Sequence, residues 1–373
     1  MFPFIKLKSP DTYVACNWNL SEDVAGRTYW VSFFKRHLPT FLDFGMAAAR
    51  ARGCADVDCR ARAAACATAL AKRLDAFDVD PARHGRVSIV ELGAWRNELL
   101  WGHGFDDCFV DLKDRANEAV LPLLPTVCRQ LDALDADPAA QLRAVIEGVF
   151  AGNLFDMGAE ATAKQFANGD GPDFFATRAK LPNRPWLVDD YDALATKLLS
   201  SQPATRHSQP GPAQHSRLGT RHSPYRHCIF FIDNAGSDFL LGAIPMIRYL
   251  ARRGTRVTIA ANEKPTLNDM TVHDVKRWWP RILEAEPSLA TLPIDLVSTG
   301  TGEPLIDLSK VSEELNAIAA DADLVILEGM GRGVESNLDA AFTCDALNLA
   351  ILKDPAVTER LGGKMYDVVC RFR

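Results

Sequence analysis

The chain has 373 residues, 47% of them hydrophobic and 24% charged, a balance that favours a folded globular protein over a disordered one. That length suffices for two domains, or for one large domain with an appendage. A formal net charge of −6 argues against a nucleic-acid or anionic-membrane surface, and no apolar stretch reaches the roughly 18 residues of a membrane span. The start of the chain lacks the apolar core of a secretion signal, so a cytoplasmic protein is expected, and nine scattered cysteines without a CxxC pair read as reduced thiols.

From Glu22 to about Ser200 the pattern is mainly helical. A run rich in alanine, leucine and arginine over 46–77 has high helix propensity, and further helical windows cover 87–102, 117–133 and 138–152. Within this half, Lys113, Arg115 and Asn117 form a polar cluster whose default reading is a solvated helix face. Asn153 and Asp156, flanked by Gly152 and Gly158, read either as a helix cap or as the edge of a pocket completed by the other half. Residues 201–227 are dominated by Ser, Pro, Gln, His, Arg and Gly, which cannot bury enough apolar surface to offset the entropy of ordering. The segment reads as a flexible insertion or linker; its histidines 207, 215, 222 and 227 have no spacing that fixes a metal geometry.

After residue 227 the period changes. Short apolar runs at 228–232, 256–261, 294–297, 324–327 and 346–352 alternate with helical windows at 238–253, 272–283 and 309–320. Strands separated by helices predict an α/β fold with a parallel sheet and right-handed crossovers, whose working edge is the carboxyl ends of the strands. The expected organisation is a mainly helical portion over 1–200, the insertion over 201–227, and an α/β core over 228–373.

Chemistry-bearing residues gather at those strand ends. Asp233 and Asn234 follow the first run, and Asp269 stands beyond the second. They are hard oxygen donors suited to Mg²⁺ or Mn²⁺, although Asp and Asn on loops are also common turn formers. Gly236, beside Ser237, would let backbone amides approach an anion. Residues 328–333, Glu-Gly-Met-Gly-Arg-Gly, end the fourth run without GxGxxG spacing, and no Walker motif occurs, so turn geometry is the favoured reading there. Lys353 ends the fifth run, either neutralising a phosphate or simply exposed.

Taken in order, residues 13–17, 151–158, 184–189, 231–242, 260–271, 306–309, 322–333 and 361–363 resemble the DUF89 family of metal-dependent damage-control phosphatases. The similarity is greatest to the branch related to the carboxyl-terminal domain of eukaryotic pantothenate kinase 4. The resemblance implies a helical amino-terminal portion packed on an α/β/α core. It implies a divalent metal ion (Mg, Mn, Co or Ni) on Asp233, Asn234 and Asp269, with Lys353 at the substrate phosphate. Asn153 and Asp156 would border the site, with Gly236, Ser237 and Glu328 also on the substrate side. The implied activity is hydrolysis of small phosphate monoesters, 4′-phosphopantetheine or its oxidised forms in this branch. The expected mechanism is attack of water on phosphorus, without the DxD arrangement of a covalent aspartyl nucleophile. An S-adenosylmethionine-dependent carboxyl methyltransferase and a non-catalytic metabolite sensor of coenzyme A metabolism are the alternatives. The sequence departs from the branch at Ala116, where an acidic residue is usual, and in the 201–227 insertion.

Overall fold

A computed structural model describes residues 1–154, 174–200 and 222–373 of the chain. The helical run expected over 46–77 is divided between α1 (Val24–Ala51) and α2 (Asp56–Val79), because the chain turns between them with Gly53 at φ +91°. A capping box of Ser88 and Glu91 starts α3 (Ile89–Gly102). The window at 117–133 is likewise two helices, α4 (Val110–Val120) and α5 (Leu124–Asp132). Pro122 and Pro125 explain the break, since each lacks an amide donor and suits the first turn of a new segment. α6 (Pro138–Leu154) then runs to the centre of the molecule.

Seven strands form one sheet: β1 (Val188–Asp189), β2 (His227–Phe231), β3 (Arg256–Ala261), β4 (Ile294–Ser298), β5 (Leu324–Glu328), β6 (Asp345–Ile351) and β7 (Val368–Phe372). Their order is β1-β7-β6-β5-β2-β3-β4. The five strands expected from the apolar runs are mutually parallel, with Phe231 opposite both Ala260 and Leu327. Two additions were not expected: β7 runs antiparallel to β6, and β1 pairs with β7. The sheet is thus mixed, with parallel pairing through its centre. Every residue of β2 and β5 is buried, which is why each reads as an unbroken apolar run. The chain leaves β2 towards β3 and β4 and returns on its other side through β5, so a crevice opens at the carboxyl end of β2.

Packing does not divide the chain at residue 200. Val149 and Phe150 of α6 share a core with Phe230 and Phe239, and a second core joins α1–α3 to Leu352 and Val369. Phe4 packs edge-on against Phe231 at 5.6 Å, so the amino-terminal residues also cover the sheet. The helix expected over 309–320 is shortened to Glu313–Ala319, since Val311 bridges to Phe2 and Ser312 caps the helix. Residues 201–221 of the expected insertion, with Asp156, lie outside the described residues. Its last residues are docked: Tyr225 is buried and its hydroxyl donates to Asp345 at 2.7 Å. The nine cysteines are free thiols, and among the described residues no helix is long and apolar enough to cross a membrane.

Candidate active site

The ends of β2 and β3 are joined by backbone contacts. Asn234 and Asp269 form an antiparallel bridge, the Ala235 amide donates to the Asn268 carbonyl (2.8 Å), and the Met270 amide donates to that of Asp233 (2.9 Å). Asp233, Asn234 and Asp269, expected as metal ligands, are therefore neighbours and all are buried. Between the two carboxylates stands Arg332, from the 328–333 segment whose sequence favours turn geometry. Its guanidinium donates through Nη1 to Asp233 Oδ1 and through Nη2 to Asp269 Oδ2 (2.7 Å), with the residue only 1% exposed. Burial works against its charge, but Asp269 and Asp233 more than offset that and hold the guanidinium pKa above its ordinary value.

Gly329 makes this approach possible. It sits at φ +94°, ψ 155°, a region almost closed to other residues, and a Cβ there would lie 1.9 Å from Asp233 Oδ2.

A hydrogen-bonded shell orients the acidic pair. Asn234 Nδ2 donates to Asp233 Oδ2 (3.0 Å) and to Asp238 Oδ2 (3.1 Å), which leaves its Oδ1 as the atom it can offer a cation. Glu328, at the end of β5, accepts the Asp233 amide (3.2 Å). Asn153, at the end of α6, donates to Asp238 (3.1 Å) and Glu328 (3.2 Å) while its Oδ1 accepts the Ile351 amide (3.2 Å). The Lys353 ammonium donates to the Asn153 carbonyl (2.7 Å). Burial, then Asp238 and Asp233, push the Glu328 carboxyl well above the usual range and favour its neutral form. Oxygens of Asp233, Asp238 and Glu328 lie within 4.8 Å of one another, close enough to hold an ion. Within this trio Glu328 accepts the Asp233 amide and Asp238 accepts from Asn234 Nδ2, so both also brace Asp233 and Asn234. The set Asp233, Asn234 and Asp269 fits a hard divalent cation: its donors are oxygens, and a guanidinium already stands as a cation between its carboxylates.

Two expectations change. The amides at 235 and 236 do not form an open anion cradle, because the Ala235 amide is bonded to Asn268 and that of Gly236 to Asn117 Oδ1 (2.7 Å). Gly236 is required instead for its φ of +80° and its closeness to Ala116, whose Cβ would be 3.0 Å from any Cβ added there. Ser237 is buried with its carbonyl against Gly152, and it leads into a π-helical turn, Asp238–Ala243, rather than a regular helix start. The Lys113 cluster is also not a solvated face. Lys113 is buried between Asp107 (2.7 Å) and Asp274 (2.6 Å), Asn117 is buried under Gly236, and only Arg115 is exposed. The Lys113 charge survives burial because these two carboxylates raise its pKa by more than desolvation lowers it. Asp238 is a further site residue that the sequence analysis does not single out, since it only opens the helical window at 238–253.

Comparisons with known proteins place the chain in a family. Residues 49–369 match the model of the damage-control phosphatase ARMT1-like domain. The Arabidopsis thaliana protein named damage-control phosphatase At2g17340 is 34% identical over all of this chain and 97% of its own length. Pantothenate kinase 2 of rice is 33% identical, and the mouse protein named 4′-phosphopantetheine phosphatase is 28% identical over 98% of the chain. The chain spans 41% and 48% of those two proteins. A DUF89 family protein of Pyrococcus horikoshii shares the fold, with TM-score 0.57 and 18% identity over 91% of this chain and 96% of that one. With a family match extending over most of its length and a full-length relative at 34% identity, the chain belongs to the ARMT1-like, DUF89 family of damage-control phosphatases.

Proposed function

We propose that the protein is a metal-dependent phosphatase of small phosphate monoesters, with 4′-phosphopantetheine or its oxidised derivatives as the substrate class. The observation that supports this most is the convergence of Asp233 and Asp269, from the segments that follow β2 and β3, on a single buried cationic position. A divalent ion held by Asp233, Asn234 and Asp269 would lower the pKa of a water and draw charge from the phosphoryl oxygens. The other residues have supporting tasks. Asn234 is held by Asp233 and Asp238, and Glu328 fixes the backbone at Asp233. Lys353 and Asn153 form one wall, where the ammonium, one of whose hydrogens goes to the Asn153 carbonyl, is a candidate contact for the phosphate. The names of the mouse and Arabidopsis relatives motivate the substrate class.

The test is phosphate release from 4′-phosphopantetheine, its sulfonate and a panel of sugar phosphates, before chelation, after it, and after adding back Mg²⁺, Mn²⁺, Co²⁺ or Ni²⁺. Turnover should vanish on chelation and return with at least one metal. Asp233→Asn should abolish it in a protein with an unchanged circular dichroism spectrum. Full activity in metal-free protein would sink the metal-dependent reading.

A further inference from the structure

Arg332 holds, with its guanidinium, the two carboxylates on which the proposed reaction depends. We propose that this guanidinium is a resident counter-ion that a divalent cation displaces, and that once displaced it grips the phosphoryl oxygens of the substrate as a catalytic residue. The inference rests on the phosphatase reading above. Charge is the first reason. Asp233 and Asp269 are buried and face the same point, and two such carboxylates without a cation repel each other in a medium that screens poorly. Arg332 relieves that repulsion, and its contacts to Asp233 Oδ1 and Asp269 Oδ2 place its charge between the two carboxylates that would hold a divalent ion. A guanidinium and a divalent ion crowded between the same two carboxylates repel each other.

The second reason is the way the residue is mounted. Its carbonyl accepts from Asn337 Nδ2 (3.1 Å), and the Gly333 amide donates to the Gly329 carbonyl (2.8 Å). On either side the main chain is closely packed: a Cβ at Gly331 would lie 2.9 Å from the Pro304 carbonyl oxygen, and one at Gly333 would lie 2.8 Å from that of Leu327. The backbone is fixed, so rotation of the long side chain is the motion that remains. The third reason is shape. A planar fork with two donors on two carboxylate oxygens presents the same face to two oxygens of a phosphoryl group, and a guanidinium keeps its charge throughout. Arg332 thereby passes from one anion to another without leaving the pocket.

Calorimetric titration of Mn²⁺ into the chelator-treated full chain, followed by titration of inorganic phosphate into the Mn²⁺-saturated protein, tests the exchange. Arg332→Gln should bind Mn²⁺ about tenfold more tightly than wild type or better, because no guanidinium competes, and should bind phosphate about tenfold more weakly. A folded Arg332→Gln protein that binds Mn²⁺ as wild type does, or less tightly, overturns the inference, since the guanidinium would then be a fixed partner of the carboxylates. Should the glutamine variant fail to fold, Arg332→Lys keeps the charge and loses the fork; its phosphate affinity should fall several-fold, and an unchanged affinity overturns the inference. A wild-type chain that takes up no Mn²⁺ overturns the proposed function and this inference together, whereas the variant results overturn the inference alone.

Discussion

Gly329→Ala tests how tightly the main chain is fitted to Asp233. Two costs add. Placing a side chain at φ +94°, ψ 155° costs about 1–3 kcal/mol, and forcing a methyl into occupied space costs about 1–3 kcal/mol more. The overlap is not confined to a movable tip: the added Cβ would lie 1.9 Å from Asp233 Oδ2, 2.4 Å from its Cγ and 2.9 Å from its Cβ. The Asp233 side chain must therefore leave its position, abandoning Asn234 and Arg332. The variant should lose about 2–6 kcal/mol in urea unfolding, a large part of the total stability of an ordinary domain, and phosphate release should fall to background. Gly362→Ala is the control. Its φ is +69° with nothing within 4 Å of an added Cβ, so it should lose only about 1–2 kcal/mol and keep its turnover. If Gly329→Ala matches wild type in both assays, or if the two variants behave alike, the steric argument is wrong.

Lys113→Met removes the cation between the partly buried Asp107 and the buried Asp274, leaving Asp274 with only the exposed Arg277 as an ionic partner at 3.2 Å, so unfolding experiments should show a loss of up to about 3–5 kcal/mol. A loss below about 1 kcal/mol would mean that solvent reaches the pair. Glu335 predicts a pH dependence. Burial, with Asp354 close by and Lys353 opposing, pushes its carboxyl up to about 8 from an ordinary 4.5. The folded state thus retains a proton that the unfolded state has lost, so this contribution to stability is complete below pH 4.5 and disappears as pH rises through about 8. Melting curves of wild type should fall relative to Glu335→Gln across that window; parallel curves would contradict the assignment.

The working edge of the sheet was legible because β2, β3 and β5 are buried on both faces and end abruptly in polar residues. Neither β1 nor β7 carried such a signal. β1 has only two residues, and β7 alternates weakly, its last two positions being less buried. The acidic pair was readable as a pair of strand ends, whereas its partner was not: Arg332 reaches Asp233 and Asp269 across 99 and 63 positions, and on its own it stands in an ordinary glycine-rich turn. Lys113 and Asn117 were misread for the same reason. At helical spacing they look solvated, and only contacts to Asp274 and Gly236, 161 and 119 positions away, turn that face inward. Asp274 is itself placed by local chemistry, since it forms a capping box with Thr271 at the start of the helix Val272–Ala285.

These long-range contacts decide what the helical portion is for. Asn153 brings the end of α6 to the carboxyl ends of β5 and β6 and links Glu328, Asp238, Ile351 and Lys353 through one side chain and one carbonyl. Asn117 holds the amide that shapes the turn after Asp233. Within the acidic cluster the carboxylates of Asp233 and Asp269 share one guanidinium, while burial, then Asp238 and Asp233, push the Glu328 carboxyl up. The helical residues therefore complete the site: the strand ends and the loops that follow them carry Asp233, Asn234 and Asp269, and Asn153 and Asn117 fix the groups around them.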